Sequence, residues 1–384
     1  MAHTRRRALI SSTTVQESLE FTVDMAEGDH LAGVLAPATH SPLWMVTSEP
    51  SLTQFVADLQ HLRLDIMRTP QVNREVRFSR AGLEEVRTAF AHMIRHGEEV
   101  LHRLSQLLCA TLLTSVQLQS VVIGEVETTK ERFTLTQALT MADLYSTLDI
   151  DLGSRQLRKL QFFDGHDWSK ATLVANVVDY QPTEPNRYGI HRITTRIKAE
   201  EEIWNKVVDE IFDLDALVFR DKQLRHLSRY VKDIFGIKVV VGEVDDIAGV
   251  QQVLLELEWC DTLLSRHHIE PGATTRQLEF VEVKDYLTPG HSKRSGWEAM
   301  KSVIRWSGKT IEIQVQPLRT FLHERELLTQ ESHVSFKAQR EQVRNRVAEQ
   351  VPLFRFYRDL LHWLFREPTS TPPQHPGITV FLVD

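Results

Sequence analysis

Two short segments, about eighty residues apart, each place one carboxylate beside or within an apolar run that is typical of a β-strand. In residues 232–241, Asp233 precedes the apolar run, and in residues 310–316, Glu312 lies between two isoleucines. Two carboxylates that face one cleft can hold Mg²⁺ on a triphosphate, as nucleotidyl and pyrophosphoryl transfer require. Asp233 and Glu312 are therefore the candidate catalytic and metal-binding residues.

The segment around Glu312 alternates between apolar and polar side chains. Because successive side chains of a strand point to opposite faces, Glu312, Gln314 and Gln316 are expected to share one face, turned to a cleft or to water. An ordinary half-exposed strand at a sheet edge would show the same alternation. Around Asp233 the simpler interpretation is a charge that flanks a buried strand.

Basic and aromatic residues near these strands suit a phosphate-bearing ligand. Arg196 and Lys198 precede a predicted helix and share a face if the chain is extended, where Arg binds phosphate bidentately and Lys supplies a point charge. The loop 283–297 offers Lys284 and Lys293 for phosphates and Trp297 as a flat platform for a purine. A basic surface loop whose Trp anchors the next helix is the alternative.

Taken together and in order, these segments resemble the RelA/SpoT-type synthetase domain, the family that makes the alarmones (p)ppGpp. The motifs are Arg-x-Lys before a helix, Asp-Ile-x-Gly-Ile-Lys-Val-Val-Val, Lys-Asp-Tyr-Leu with a following Gly-Trp, Glu-Ile-Gln-Val-Gln, and the charged stretch 322–337. The resemblance covers roughly residues 190–345 and is strongest over 232–250 and 284–337.

The resemblance implies a nucleotidyltransferase-like fold and transfer of the β,γ-pyrophosphate of ATP to the 3′-hydroxyl of GDP or GTP. It implies Mg²⁺ on Asp233, with Glu312 as general base or second metal ligand. The remaining implied roles are ATP contacts for Arg196 and Lys198, phosphate contacts for Lys284 and Lys293, and guanine stacking for Trp297.

The chain departs from the family pattern at several nucleotide contacts. Lys238 stands where the family usually has Arg, Lys301 replaces its His, and Gln314-Val315-Gln316-Pro317 replaces Gln-Ile-Arg-Thr. Lys238, Lys301 and Gln314 still count as candidate nucleotide-binding residues. The departures leave two alternatives open: a catalytically altered or inactive nucleotide-binding regulatory protein, or pyrophosphorylation of another 3′-hydroxyl such as a tRNA end.

Composition places the chain among ordinary folded proteins. It has 384 residues, 42% hydrophobic and 25% charged, a length that allows two or three domains. A net charge of −7 gives no reason to expect DNA as a partner. No apolar run reaches the roughly 18 residues of a membrane span. Cys109 and Cys260, each among apolar neighbours, are expected to be buried free thiols of a cytoplasmic protein.

The predicted fold class is α+β, with three segments. Residues 1–150 form a largely helical region of unknown role. Residues 151–350 hold a mixed β-sheet flanked by helices, the synthetase-like domain. Residues 351–384 add a helix, a proline-rich linker and a short strand. The helix over 352–366 is apolar all round, which favours burial in the core over a contact between subunits of a homo-oligomer.

Pattern and breaker residues also predict individual elements. Helices are expected over 52–67, 79–113 (interrupted or bent near Gly97), 135–148, 203–212, 222–232, 244–259, 296–303, 318–348 and 352–366. Strands are expected over 116–126, 172–180, 234–241, 278–283, 310–315 and 378–383. The pairs His166-Asp167 and His267-His268 are interpreted as structural, not as metal sites.

Overall fold

The computed structural model describes residues 49–129, 131–163, 165–197, 200–212, 234–288, 297–329, 344–349, 351–366 and 371–384. They fall into two compact units. The first is drawn from residues 1–93, 204–229 and 342–384, and the second from residues 94–203 and 230–341. The segments 1–150, 151–350 and 351–384 stay a prediction about domain organisation.

Strands and helices both occur throughout the described residues. The strands are β1 (Arg74–Ser79), β2 (Val116–Val126), β3 (Arg132–Ala138), β4 (Phe162–Phe163), β5 (Trp168–Ser169), β6 (Ala171–Pro182), β7 (Ile190–Ile197), β8 (Phe235–Val241), β9 (Glu279–Asp285), β10 (Met300–Trp306), β11 (Lys309–Pro317) and β12 (Ile378–Val383). The helices are α1 (Pro50–Arg68), α2 (Arg80–Leu112), α3 (Met141–Ser146), α4 (Asp149–Leu157), α5 (Glu200–Ile211), α6 (Asp245–Glu256), α7 (Asp261–Arg266), α8 (Leu318–Thr329) and α9 (Pro352–Arg366).

A mixed sheet of eight strands forms the second unit. Its order is β3-β2-β6-β7-β8-β11-β10-β9. Neighbouring strands are antiparallel, except that β8 and β11 run parallel. The expected mixed sheet with helices is confirmed.

The central strands β8 and β11 are buried on one face and partly exposed on the other, at Gly236, Lys238 and Gln314. Their β-branched residues suit a pleated surface that packs against other elements. On one face, which we call the apolar face, Phe235 packs so closely against α2 that a Cβ at Gly97 would lie 2.0 Å from its ring. On the same face Gln251 of α6 donates a 3.2 Å hydrogen bond to Ser302 of β10. These contacts fix the hydrophobic side of the sheet.

The first unit packs α9 with aromatic side chains of other helices. The ring of Trp204 stacks on Phe365 at 4.0 Å and on Phe90 at 5.0 Å between centroids. Tyr357 is buried and donates a 2.9 Å hydrogen bond to the carbonyl of Leu59 in α1. The burial predicted for the helix 352–366 is therefore confirmed, but the helix is not apolar all round, because Arg355, Asp359 and His362 are exposed along one side. Strand β12 pairs in parallel with β1.

Most long elements match the sequence predictions. Strands predicted over 116–126, 172–180, 234–241, 278–283, 310–315 and 378–383 are present, as are the helices over 52–67, 203–212, 244–259 and 352–366. The helix predicted over 222–232 lies outside the described residues. Among the described residues, no helix is both long and apolar enough to cross a bilayer.

Three predictions about elements are wrong. Helix α2 runs unbroken through Gly97, where the absent side chain makes room for the Phe235 ring. Residues 135–138 of the predicted helix 135–148 belong to β3, because they pair with β2, and the helix begins only at Met141, which follows the N-cap Thr140. Residues 300–303 belong to β10, where pairing with strands on both sides overrides apolar spacing.

In the described part of residues 1–150, strands β2 and β3 join the eight-stranded sheet. One further correction concerns burial. Cys109 is buried as predicted and burial raises the pKa of its thiol, but Cys260 is exposed, at the residue that precedes α7. Both cysteines are free. The long helix predicted over 318–348 is seen as α8 up to Thr329, and residues 330–343 lie outside the described part.

Candidate functional site

Strand register gathers the predicted site residues on the face opposite the apolar one. Arg196, Gly236 and Glu312 lie side by side on β7, β8 and β11. Two residues further along these strands, a second row carries a polar or charged side chain on each of five neighbouring strands. That row consists of Thr194, Lys238, Gln314, Lys301 and Lys284. We call this surface, defined by the two rows, the polar face.

Glu312 sits at the centre of the polar face and is only 3% exposed. Its carboxylate pairs with the ammonium of Lys301 on β10 and accepts a hydrogen bond from the Gln314 amide. A buried carboxylate needs such partners, because an unpaired charge is costly inside a protein. The expected orientation of Glu312 away from the core is confirmed, but the side chain is covered and not half-exposed.

Helix α8 brings a second carboxylate, Glu324, onto the polar face. It pairs with Lys238 and accepts hydrogen bonds from Trp297 Nε1 at 2.8 Å and from Gln316 Nε2 at 2.9 Å. Burial alone would raise the pKa of Glu324, but the charge of Lys238 and these hydrogen bonds outweigh it and lower that pKa. Glu324 is therefore held ionised by three donors from different elements.

Burial also lowers the pKa of Lys238, and the nearby charge of Arg196 acts in the same direction. The carboxylate of Glu324 opposes both effects without cancelling them. A lysine in this setting is a cation whose charge is poorly solvated. It gains from a second anion, such as a phosphate, more than a surface lysine would.

The polar face continues toward β6 through a further ion pair. Arg192 donates to Asp179 at 2.8 Å, and its guanidinium lies 5.1 Å from the Phe321 ring centroid. Burial raises the pKa of Asp179, while Arg192 and then Arg325 pull it down. This pair ties α8 to the sheet beside the candidate site.

The backbone of the polar face is bare at Gly236, between Arg196 and Glu312. A Cβ placed there would meet only backbone oxygens, of Arg196 at 3.8 Å and of Glu312 at 3.9 Å. Because that position carries no side chain, a ligand group could approach the sheet backbone directly. Arg196 is exposed at this position, as expected for a residue that meets a ligand.

The structure unites some predicted site residues and leaves others untested. Asp233, Lys198 and Lys293 lie outside the described residues. Lys284 stands at the end of the second row and pairs with Glu282 at 3.1 Å. Trp297 is half-buried, with its ring edge-to-face to Tyr286 at 5.2 Å between centroids.

Sequence reasoning missed Glu324 as a member of the site. It lies within the charged stretch 322–337 that carries the resemblance, but nothing in that stretch shows which acid turns to the sheet. The signal that could have identified Glu324 is its short separation in sequence from strand β11. The helix begins directly after β11, so a residue two turns into it can fold back over the strand.

Comparisons with known proteins give weak likenesses. No family model and no curated protein matches the chain. Among solved structures, small alarmone synthetase 2 from Bacillus subtilis is 19% identical, covers 47% of this chain and 80% of its own, and has a TM-score of 0.25. Small alarmone synthetase 1 from the same organism, bound to its product pppGpp, is 22% identical over 44% of this chain and 78% of its own, with a TM-score of 0.22. TM-scores this low do not establish a shared fold.

Proposed function

We propose that the second unit is a nucleotidyltransferase-like domain that transfers pyrophosphate from ATP to the 3′-hydroxyl of GDP or GTP. The observation that carries the proposal is the polar face. A buried carboxylate, Glu312, lies beside the bare backbone of Gly236 and the exposed Arg196, with Lys238 and Lys301 one step along the strands. Phosphoryl-type transfer needs this combination of one base, several cations and an open approach.

In the proposed reaction, the 3′-oxygen of the acceptor attacks the β-phosphorus of ATP. The bond between the β-phosphorus and the oxygen that bridges it to the α-phosphorus breaks, and AMP leaves with that oxygen. Glu312 accepts the proton of the attacking hydroxyl and later releases it to solvent. Lys301 lies against Glu312, so its charge is placed to move onto substrate phosphates as Glu312 takes up the proton.

The proposal includes Mg²⁺. The donors fit the ion, because Glu312 offers a carboxylate and Gln314, two residues along the same face, has a buried carbonyl oxygen that accepts no hydrogen bond from any of the described residues. Asp233 and Glu312 would hold Mg²⁺, which would offset the negative charge of the β- and γ-phosphates. We assign the ATP contacts to Arg196, Lys198 and Lys238, the other phosphate contacts to Lys284 and Lys293, and guanine stacking to Trp297.

A second candidate function has its own support. The positive charges of two lysines on the polar face are already paired with carboxylates of the same domain, Lys301 with Glu312 and Lys238 with Glu324. A domain whose cations are satisfied by its own acids suits a regulatory protein that binds a nucleotide without turning it over. A third possibility keeps the transfer chemistry and changes the acceptor to the 3′ end of a tRNA.

One experiment separates these functions. The full chain is incubated with ATP labelled at the γ-phosphate and Mg²⁺, with GDP, GTP or tRNA as acceptor, and label transfer and AMP are measured. Transfer to GDP or GTP that is lost in Asp233→Asn and Glu312→Gln supports the proposal, and transfer to tRNA alone supports the third candidate. Nucleotide binding without transfer to any acceptor supports the regulatory protein and rules out the proposed reaction.

A matched control variant shows whether removing any carboxylate from this sheet abolishes activity by unfolding the protein. Glu279 lies on the edge strand β9 and pairs with Arg305 at 3.1 Å, with both side chains well exposed. Glu279→Gln removes one carboxylate from the same sheet, two strands away from Glu312. It should leave transfer unchanged.

A further inference from the structure

A second cluster of ionisable side chains lies on the apolar face of the sheet. Glu98 and His102 are one turn apart on α2, and Asp149 begins α4. Their ligand atoms all lie within 4.8 Å of one another, and all three side chains are buried. Tyr180 of β6 contacts His102 and alternates along its strand with Asp179, which belongs to the side of the sheet that carries Arg192. The cluster is therefore separate from Glu312.

The distances within the cluster fit a small divalent ion. His102 Nε2 lies 3.3 Å from Asp149 Oδ1 and 3.8 Å from Glu98 Oε1. Ligand atoms bound at 2.0–2.1 Å in a tetrahedron lie about 3.3–3.4 Å from one another. His102 Nε2 and both Asp149 carboxylate oxygens are buried, and in the described part of the chain they make no hydrogen bond to any group outside the cluster. These are the atoms that a metal would use.

The net charge of the cluster also favours a bound divalent ion. With His102 protonated, two carboxylates and one imidazolium leave a buried net charge of −1. A divalent ion with a neutral histidine makes the same cluster neutral. Because an uncompensated buried charge costs several kcal/mol, the metal-bound form removes the main cost of this arrangement.

The groups around the three residues hold them in place, as in known metal centres. His102 Nδ1 lies 3.1 Å from the Tyr180 hydroxyl, which suits a tautomer that leaves Nε2 free to ligate. Glu98 Oε1 accepts the backbone N–H of Asp149 at 2.7 Å, and the Asn176 amide donates to the carbonyl of Asp149. The ligands are therefore oriented by the backbone and by neighbouring side chains.

The cluster also reaches a cavity. Glu98 and His102 line a cleft of about 630 Å³, together with Arg95, Tyr145, His267 and His268. A site with three protein ligands and an approach for a fourth from a cleft has the form of centres that bind water or a substrate group.

We propose that Glu98, His102 and Asp149 bind one divalent transition-metal ion of the Zn²⁺ class, with a coordination position open to the cleft. Imidazole with carboxylates selects such an ion over Ca²⁺ or Mg²⁺, which take oxygen ligands almost alone. The site does not depend on the function proposed for the polar face. The interpretation of His267-His268 as structural stays a prediction, since that pair lines the cleft without joining the three ligands.

The test uses the full chain without a histidine tag. The protein is stripped with a chelator, and Zn²⁺ binding is measured by titration calorimetry and by the thermal midpoint. We expect one tight site per chain and a higher midpoint with Zn²⁺. Asp149→Asn and Glu98→Gln should each weaken binding by at least about tenfold, since even loss of a group that only orients a ligand costs ~10–100-fold.

Two further variants make the test specific. Tyr180→Phe keeps every proposed ligand and removes only the hydroxyl behind His102, so Zn²⁺ should bind ~10–100-fold more weakly. Glu99→Gln changes a carboxylate that lines the same cleft but pairs with Arg103, and Zn²⁺ binding should not change. No rise in the wild-type midpoint with Zn²⁺ would overturn the proposal. So would equal Zn²⁺ affinity in wild type, Asp149→Asn and Tyr180→Phe, because the ion would then bind elsewhere.

Discussion

The ion pair between Lys238 and Glu324 gives the sharpest prediction about the polar face. The two side chains are 21% and 26% exposed, so the pair is largely shielded from water. Changing Glu324 to Gln removes the negative charge and replaces one accepting oxygen with an N–H₂ group. The donors Lys238, Trp297 and Gln316 then share one acceptor oxygen in place of two. The change isolates the value of the carboxylate, because the shape of the side chain is kept.

The expected cost follows from the surroundings. Breaking a buried pair from one side costs about 3–5 kcal/mol, and the partial exposure here lowers that to about 2–3 kcal/mol. An upper bound comes from Lys238 itself, because neutralising a lysine at pH 7 costs about 5 kcal/mol. Lys238→Met should cost less, about 1–2 kcal/mol, because Gln316 and Trp297 still donate to Glu324.

The assay is urea unfolding of wild type, the two single variants and the double variant, followed by tryptophan fluorescence. The double-mutant cycle should give a coupling free energy above about 1 kcal/mol. Glu298→Gln breaks the exposed pair with Arg319 and serves as the control, with a cost below about 1 kcal/mol. A coupling near zero, or a cost of Glu324→Gln no larger than that of the control, would refute the packing of α8 on the sheet.

The pH dependence of the same variant follows from the direction of the pKa shift. The pKa of Glu324 in the folded protein lies below its ordinary value of 4.5. The ionised carboxylate therefore stabilises the fold fully above that value, and the stabilisation is lost as pH falls through the folded-state pKa. The difference in unfolding free energy between wild type and Glu324→Gln should be full at pH 7 and shrink below pH 4.5. A difference that is equal at both pH values would contradict the assignment.

Two further changes test packing. Gly97→Ala puts a Cβ 2.0 Å from the buried Phe235 ring and should lower the free energy of unfolding in urea by about 1–3 kcal/mol. Gly249→Ala, at an exposed helical position with open space around it, should raise the free energy of unfolding by about 0.5–1 kcal/mol. A similar effect at both glycines would argue against the contact between Gly97 and Phe235. Tyr357→Phe removes the buried hydrogen bond to α1 and should cost about 1–2 kcal/mol by the same measurement, and no loss would mean that the hydroxyl is solvated.

The sequence predicts what is local to each strand. Alternation within 310–316 correctly separates Glu312 and Gln314 from the isoleucines, because the two-residue period is built into any extended chain. Helix α9 is also found with its full bounds, since its apolar residues are dense and proline marks its start. These features need no knowledge of distant residues.

Contacts that depend on the pairing of strands far apart in the chain could not be predicted from the sequence. No pattern shows that Glu312 lies beside Gly236 or that Lys301 lies across from Gln314, because strand register joins residues far apart in the chain. The same reason explains the error at 300–303, where apolar spacing suggested a helix. Within the second cluster, the four-residue spacing of Glu98 and His102 is visible in the sequence, but Asp149 is brought to them only by the fold.

The central claim is that Glu312 accepts the proton of the acceptor hydroxyl. The most direct measurement is the single-turnover rate of AMP formation in wild type, Glu312→Gln and Glu279→Gln, with the dissociation constant of ATP measured on the same samples. We predict a loss of about 10²–10⁴-fold in rate for Glu312→Gln, with the affinity for ATP in the absence of Mg²⁺ within a few-fold of wild type and Glu279→Gln at the wild-type rate. Glu312→Gln forming AMP as fast as wild type would contradict the account.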